Sequence, residues 1–170
     1  MPPVAAPAGD RRALRAARRA RVLVATARAI PDLIGTGVRL DALVGSGVDE
    51  GERYRPGLLE PAPTLVVRTF GARGGVYRVG GRRPVRFDPA SVPGEVRDAY
   101  GCGDSFAAGL AFGLGAGMPA TDAVDLAARC GAYCLAGRGP YEGQLRSSGI
   151  RSPVASARPR STRAGRRPPP

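Results

Sequence analysis

Between Asp98 and Gly117 the chain reads DAYGCGDSFAAGLAFGLGAG. Two glycines, Gly101 and Gly103, and one aspartate, Asp104, stand directly before a run of small apolar residues. This is the composition of a tight loop feeding a closely packed helix, since glycine turns through conformations closed to residues with a Cβ. The first turn of a helix has N–H groups without intrahelical partners, and the helix dipole adds about half a positive charge there, so such a loop can hold a phosphate. A carboxylate at the same point would repel that phosphate. Its most economical role is to take a proton from whatever attacks the phosphorus. The bland alternative is that Asp104 only caps a buried Ala/Gly-rich helix.

Residues 98–106, Asp-Ala-Tyr-Gly-Cys-Gly-Asp-Ser-Phe, resemble the motif D-[TA]-x-G-A-G-D-x-F of the ribokinase-like (PfkB-type) carbohydrate kinases, with Cys102 in place of the usual alanine. The resemblance implies that Asp104 is the catalytic base and that the backbone amides from Gly101 to Asp104, with Cys102 and Gly103 between them, form an anion hole for the transferred phosphate. It implies an ATP-dependent kinase acting on a hydroxyl of a sugar or sugar-like substrate, with Mg2+ and, in some relatives, a monovalent cation. Asp98 then holds the loop or helps position that cation. Thr69, Gly71 and Gly74 fit the family's T-x-G-x-x-G, which lies near the nucleotide phosphates. Taken alone this spacing is also that of a plain strand-to-hairpin turn. Asp49-x-x-Glu52 keeps the acidic end of the family's N-x-x-E but lacks its asparagine, so Glu52 serves a magnesium-bound water or marks an exposed acidic helix start. Farther on, Ala128 and Gly131 are the small residues that would leave room for the adenine, and ordinary helix packing explains them equally well.

These residues need a scaffold, and composition bounds it. The chain has 170 residues, 43% of them hydrophobic, enough for one domain with a real core. Its formal charge of +12 would ordinarily point to nucleic acid or a membrane surface. That charge lies in the flanks: residues 1–30 sum to +6 and residues 146–170 to +7, leaving −1 for the rest. Specific nucleic-acid binding is therefore not expected. All 26 basic residues are arginine. Without histidine there is no Ser-His-Asp or Cys-His machinery, and without lysine no Walker-type loop and no Schiff base. The 3 cysteines are too few for a disulfide scaffold, and Cys130 and Cys134, four apart on one helix, read as core. No secretory signal is evident, and the apolar run from Phe106 is too short and glycine-rich to cross a bilayer, so a cytoplasmic location is expected, with no membrane partner.

The pattern of elements is α/β. Residues 10–19 favour a helix capped by Asp10. Short continuous apolar runs at 22–25, 42–45 and 65–69 have the pattern of strands buried on both faces of a parallel sheet. A helix or broken helix is expected over 27–40, and a hairpin over 76–87 at the sheet edge. Helices follow from Asp104 toward Gly117 and from Thr121, as its cap, to about residue 136. The expected architecture is a mainly parallel sheet flanked by helices, ribokinase-like, with the family's N-terminal half and β lid missing. Its expected parts are a basic N-terminal extension (1–20), the C-terminal half of a PfkB-type kinase domain (21–145) and a disordered Arg/Pro-rich tail (146–170). Such a half leaves sheet surface open, so poor solubility, a homo-oligomer or a partner chain completing the fold is expected.

Overall fold

In the computed structural model, which describes residues 8–146, a single sheet runs in the order β1-β2-β3-β4-β5. Its strands are β1 Val24–Thr26, β2 Ala42–Ser46, β3 Leu65–Thr69, β4 Gly75–Val79 and β5 Val85–Phe87. The first three are parallel, and β4 and β5 return as an antiparallel hairpin with β5 at the edge. The sheet is thus mixed and mostly parallel, as the spacing of apolar runs implies.

Two helices, α3 Cys102–Gly115 and α4 Ala120–Leu135, cover one face. There Phe106, Leu110, Val124 and Ala127 pack on Ala42, Val44, Leu65, Val67 and Tyr77. Burying one such large side chain stabilises the fold by about 1.5–3 kcal/mol. The small residues of α3 are what let the two helices approach. A Cβ on Gly109 would stand 2.7 Å from the Cys130 sulfur, and one on Gly113 would stand 3.0 Å from the Ala123 Cα. Consistent with the core role read for them, Cys134 is buried and Cys130 half-buried.

Behind β1 and β2, Leu43 meets Ala27, Ile30, Leu33, Val38, Leu40 and Leu59. Ala42 and Val44 face the helices while Leu43 faces this second cluster, which accounts for the uninterrupted apolar run. β3 is covered less evenly, with Leu65 and Val67 buried and Val66 and Arg68 half-buried.

Four local expectations are corrected. β1 starts at Val24, two residues late, and is half-buried rather than buried, because it is short and stands at the sheet edge. The helix expected over 27–40 amounts to a 3-10 turn, Ala27–Ala29, and the four residues of α2, Ile30–Leu33; Gly35 and Gly37, both at φ +70°, end it. The first helix, α1 Ala8–Ala17, begins before Asp10, so that residue is not its cap. Pro119, not Thr121, occupies the N-cap of α4, and the Thr121 hydroxyl instead lies 3.0 Å from that of Tyr77. The disordered tail expected over 146–170 lies outside the described residues beyond Arg146, and so do residues 1–7. No described helix is long and apolar enough to cross a membrane.

Candidate functional site

The parallel strands end where α3 begins, the position at which open α/β sheets hold ligands. Gly101 makes the turn into α3 at φ +83°, a left-handed conformation that excludes most other residues. Its Cα also lies against Pro140, where a side chain would collide. The Cys102 N–H turns back to the Ala99 carbonyl at 3.3 Å, and the Ser105 N–H bonds Gly101 at 2.9 Å. Between them the amides of Gly103 and Asp104 have no acceptor among the described residues. Of the amides from Gly101 to Asp104 expected to form an anion hole, that of Cys102 is thus already engaged, whereas those of Gly103 and Asp104 are open. Asp104 is the third residue of α3 and exposed, not a cap. An acidic residue in the first turn is stabilised by the helix dipole.

The loop entering α3 is fixed from behind by Asp98. One of its carboxylate oxygens accepts the Tyr100 N–H at 2.9 Å and the other the Gly139 N–H at 2.9 Å. These two bonds hold the Asp98 carboxyl below its ordinary range. Under the same loop, the Cys102 thiol lies 3.8 Å from the Asp98 carbonyl and the Cys134 thiol 3.6 Å from that of Tyr100. Burial, reinforced by the neighbouring Cys134, pushes the Cys102 thiol up to about 12. These surroundings favour the neutral thiol, which packs beneath the loop.

Beside this loop opens a cavity of about 470 Å³. The five residues read as nucleotide-binding, Thr69, Gly71, Gly74, Ala128 and Gly131, all line it, as do Cys102 and Gly103. The lining is predominantly apolar, and the volume falls within the range of small-molecule sites. Phe87 at the end of β5, with Pro89, Val92 and Val96 from the connection between β5 and α3, completes its wall. The sequence reading placed Phe87 in the hairpin but not at the site, and it missed the other three because no motif marks a connection of that kind. Asp104, Asp98 and Glu52 are not part of the wall.

Glu52 sits apart, at the end of a 3-10 turn, Glu50–Glu52, that follows β2 and is capped by the Asp49 side chain. One Glu52 oxygen accepts the Arg28 Nε–H at 2.6 Å and the other the Ser46 N–H at 2.8 Å. Arg28 had no motif to announce it; only the pairing of β1 with β2 brings it here. Among the described residues no three His, Cys, Asp or Glu side chains converge on one point. A Mg2+ held mainly by phosphate oxygens and water needs only one or two carboxylates, and Glu52 is the one expected for it here.

The chain matches the family model described as pfkB family carbohydrate kinase over residues 12–146. Among solved structures it is similar to an E. coli protein assigned as a ribokinase II, in complex with ATP and Mg2+ (29% identity, TM-score 0.51, covering 63% of this chain and 36% of that one). It is similar also to a microbiome-derived acarbose kinase (24% identity, TM-score 0.61, covering 80% and 49%). A third is a Burkholderia thailandensis nucleoside kinase in complex with inosine (19% identity, TM-score 0.62, covering 80% and 48%). The chain spans between about a third and a half of the length of these structures. Among curated protein sequences none matches it.

Proposed function

The chain belongs to the pfkB family of carbohydrate kinases, and from that membership and the geometry of α3 we propose that it transfers the γ-phosphate of ATP to a hydroxyl of a sugar or sugar-like alcohol. The observation that carries this reading is the first turn of α3, where open amides and an exposed carboxylate share one turn beside a cavity of nucleotide size. In it, Asp104 takes the proton of the attacking hydroxyl. The backbone of Gly101, Cys102, Gly103 and Asp104 receives the moving phosphate, with the Gly103 and Asp104 amides as donors. One such donor is typically worth about 2.7–4 kcal/mol in the transition state. Thr69, Gly71 and Gly74 lie along the phosphates, and Ala128 and Gly131 leave space for the base.

Asp98 holds the loop through both its oxygens; a monovalent cation beside it would have to use their remaining lone pairs. Magnesium, when bound, would neutralise charge on the phosphates, and Glu52, with both oxygens engaged, would hold one of its waters rather than the ion itself. A cytoplasmic enzyme is part of this reading. So is completion of the sheet by a partner chain or second copy, which the edge position of β1 supports.

The test is a panel of sugars and nucleosides with Mg-ATP, run on the chain and on Asp104→Asn. Acceptor-dependent ADP release that vanishes in the variant is the expected result; release that survives it removes Asp104 as base. The alternative is a nucleotide-binding or assembly remnant without turnover: open amides and a cavity suffice to hold a nucleotide, whereas the proximity of acceptor and phosphate, which can supply about 7–11 kcal/mol of a barrier, needs an acceptor pocket as well. Nucleotide binding without turnover on any acceptor would favour that remnant.

A further inference from the structure

We propose, resting on the reading of α3 as a phosphoryl-transfer turn, that Arg28 binds the terminal phosphate of the nucleotide, using the part of its guanidinium that the Glu52 ion pair leaves free. Arg28 follows β1 in the turn Ala27–Ala29, and Glu52 closes the turn after β2, so both stand at the C-terminal ends of neighbouring parallel strands. Gly45, near the end of β2, allows the two turns to meet. A Cβ there would press to 2.8 Å from the Glu52 carbonyl oxygen and 3.0 Å from the Ala27 Cβ.

The pair is asymmetric. The Glu52 side chain is 13% exposed and held by the Ser46 N–H as well, whereas that of Arg28 is 77% exposed. The carboxylate is an anchor, and the guanidinium stands in solvent with Nε as its engaged donor. A guanidinium has five N–H donors in a planar fork, so four remain for a partner with two or more oxygens. The direction of that partner is given by the fold. α3 packs on β1 and β2, and Arg28 stands just past the C-terminal end of β1, at the sheet end where α3 begins. The raised Arg28 pKa, owed first to Glu52 and least to Asp104, agrees with that placement. A cation there offsets the repulsion between Asp104 and an incoming phosphate. In a chain without lysine or histidine, only arginine can supply such a charge. The bland alternative is a surface ion pair of little consequence.

The experiment measures binding rather than turnover. Calorimetry with Mg2+ compares a non-hydrolysable ATP analogue with ADP on the full chain, on Arg28→Gln and on Arg28→Lys. The wild-type chain should prefer the triphosphate. Arg28→Gln should cut that preference by about ten- to a hundredfold, the worth of a charge-assisted hydrogen bond, while ADP binding stays near wild type. Arg28→Lys, which keeps the charge without the fork, should retain part of it and covers the case in which the glutamine variant fails to fold. An unchanged preference in Arg28→Gln overturns the proposal and leaves the nucleotide site standing. No binding of either nucleotide by the wild-type chain overturns the phosphoryl-transfer reading itself, and this proposal with it.

Discussion

The Asp98 carboxylate accepts the N–H of Gly139, 41 positions later in the chain, at 2.9 Å. Its other oxygen takes the Tyr100 N–H, so one side chain joins the loop before α3 to the first residue of the short helix α5, Gly139–Glu142. Pro140, the next residue, packs on Gly101 at the turn into α3. The position of the open amides thus depends on a contact that closes far along the sequence.

That contact should titrate. The Tyr100 and Gly139 N–H groups favour the ionised form and depress the Asp98 pKa in the folded chain. A depressed folded pKa gives stability that is present above the unfolded value, about 3.9, and is lost as pH falls through the folded value. Asp98→Asn should therefore be less stable than the wild-type chain at pH 7, and the difference should close at acid pH. Urea unfolding of both chains between pH 7 and pH 3 checks this; a difference that does not change with pH would exclude the charge as its source.

Asp104 is a different kind of aspartate, exposed and without a hydrogen-bonding role in the loop. Replacing it by asparagine should leave the melting temperature close to wild type and nucleotide binding unchanged or tighter, since the carboxylate no longer repels the phosphate. If turnover on an acceptor is found, it should fall by about 10²–10⁴, the usual contribution of a general base. A loss of stability instead would mark Asp104 as a structural residue of the helix start.

The two glycines of the Thr69-x-Gly71-x-x-Gly74 pattern should respond unequally. Both have positive φ, +59° and +71°, so alanine at Gly71 costs about 1–2 kcal/mol in backbone strain, and at Gly74, whose ψ of −126° lies outside the left-handed helical region, at least as much. Open space surrounds a Cβ on Gly71, whereas one on Gly74 would overlap the Phe87 carbonyl oxygen. Gly74→Ala must in addition push β5 away from β4, at a further cost of about 1–3 kcal/mol. Chemical denaturation should place Gly71→Ala between the wild-type chain and Gly74→Ala; equal losses would mean that the hairpin gives way freely.

Local chemistry in the sequence was enough for β2 and β3, whose apolar runs mark them as strands although only that of β2 is buried on both faces, and for the glycine turn into α3. The same local reading overran at residues 27–40, where helix propensity yields to a loop that packs Val38 and Leu40 under the sheet. It named Thr69, Gly71, Gly74, Cys102 and Gly103 of the cavity because motifs carried them, and missed Val92 and Val96 because only the path from β5 to α3 brings them there. Arg28 shows the same limit. Nothing in its neighbourhood along the chain distinguishes it from the other arginines, and its partner is 24 residues away.

Ala128 separates the two explanations for the small residues of α4. It is half-buried, packs beside the core cluster and also lines the cavity. If its smallness serves helix packing, Ala128→Leu overfills the interface and lowers stability by about 1–3 kcal/mol. If it keeps space open for a base, the added carbons enter the cavity and bury apolar surface there at about 0.8 kcal/mol for each CH2, so stability holds or rises. Nucleotide should then bind more weakly by about ten- to a hundredfold, since the ligand meets the same overpacking cost of about 1–3 kcal/mol. We expect the second pattern, read from thermal unfolding and ATP-analogue calorimetry on one preparation. A destabilised chain that binds nucleotide as the wild type does would return Ala128 to the helix interface alone.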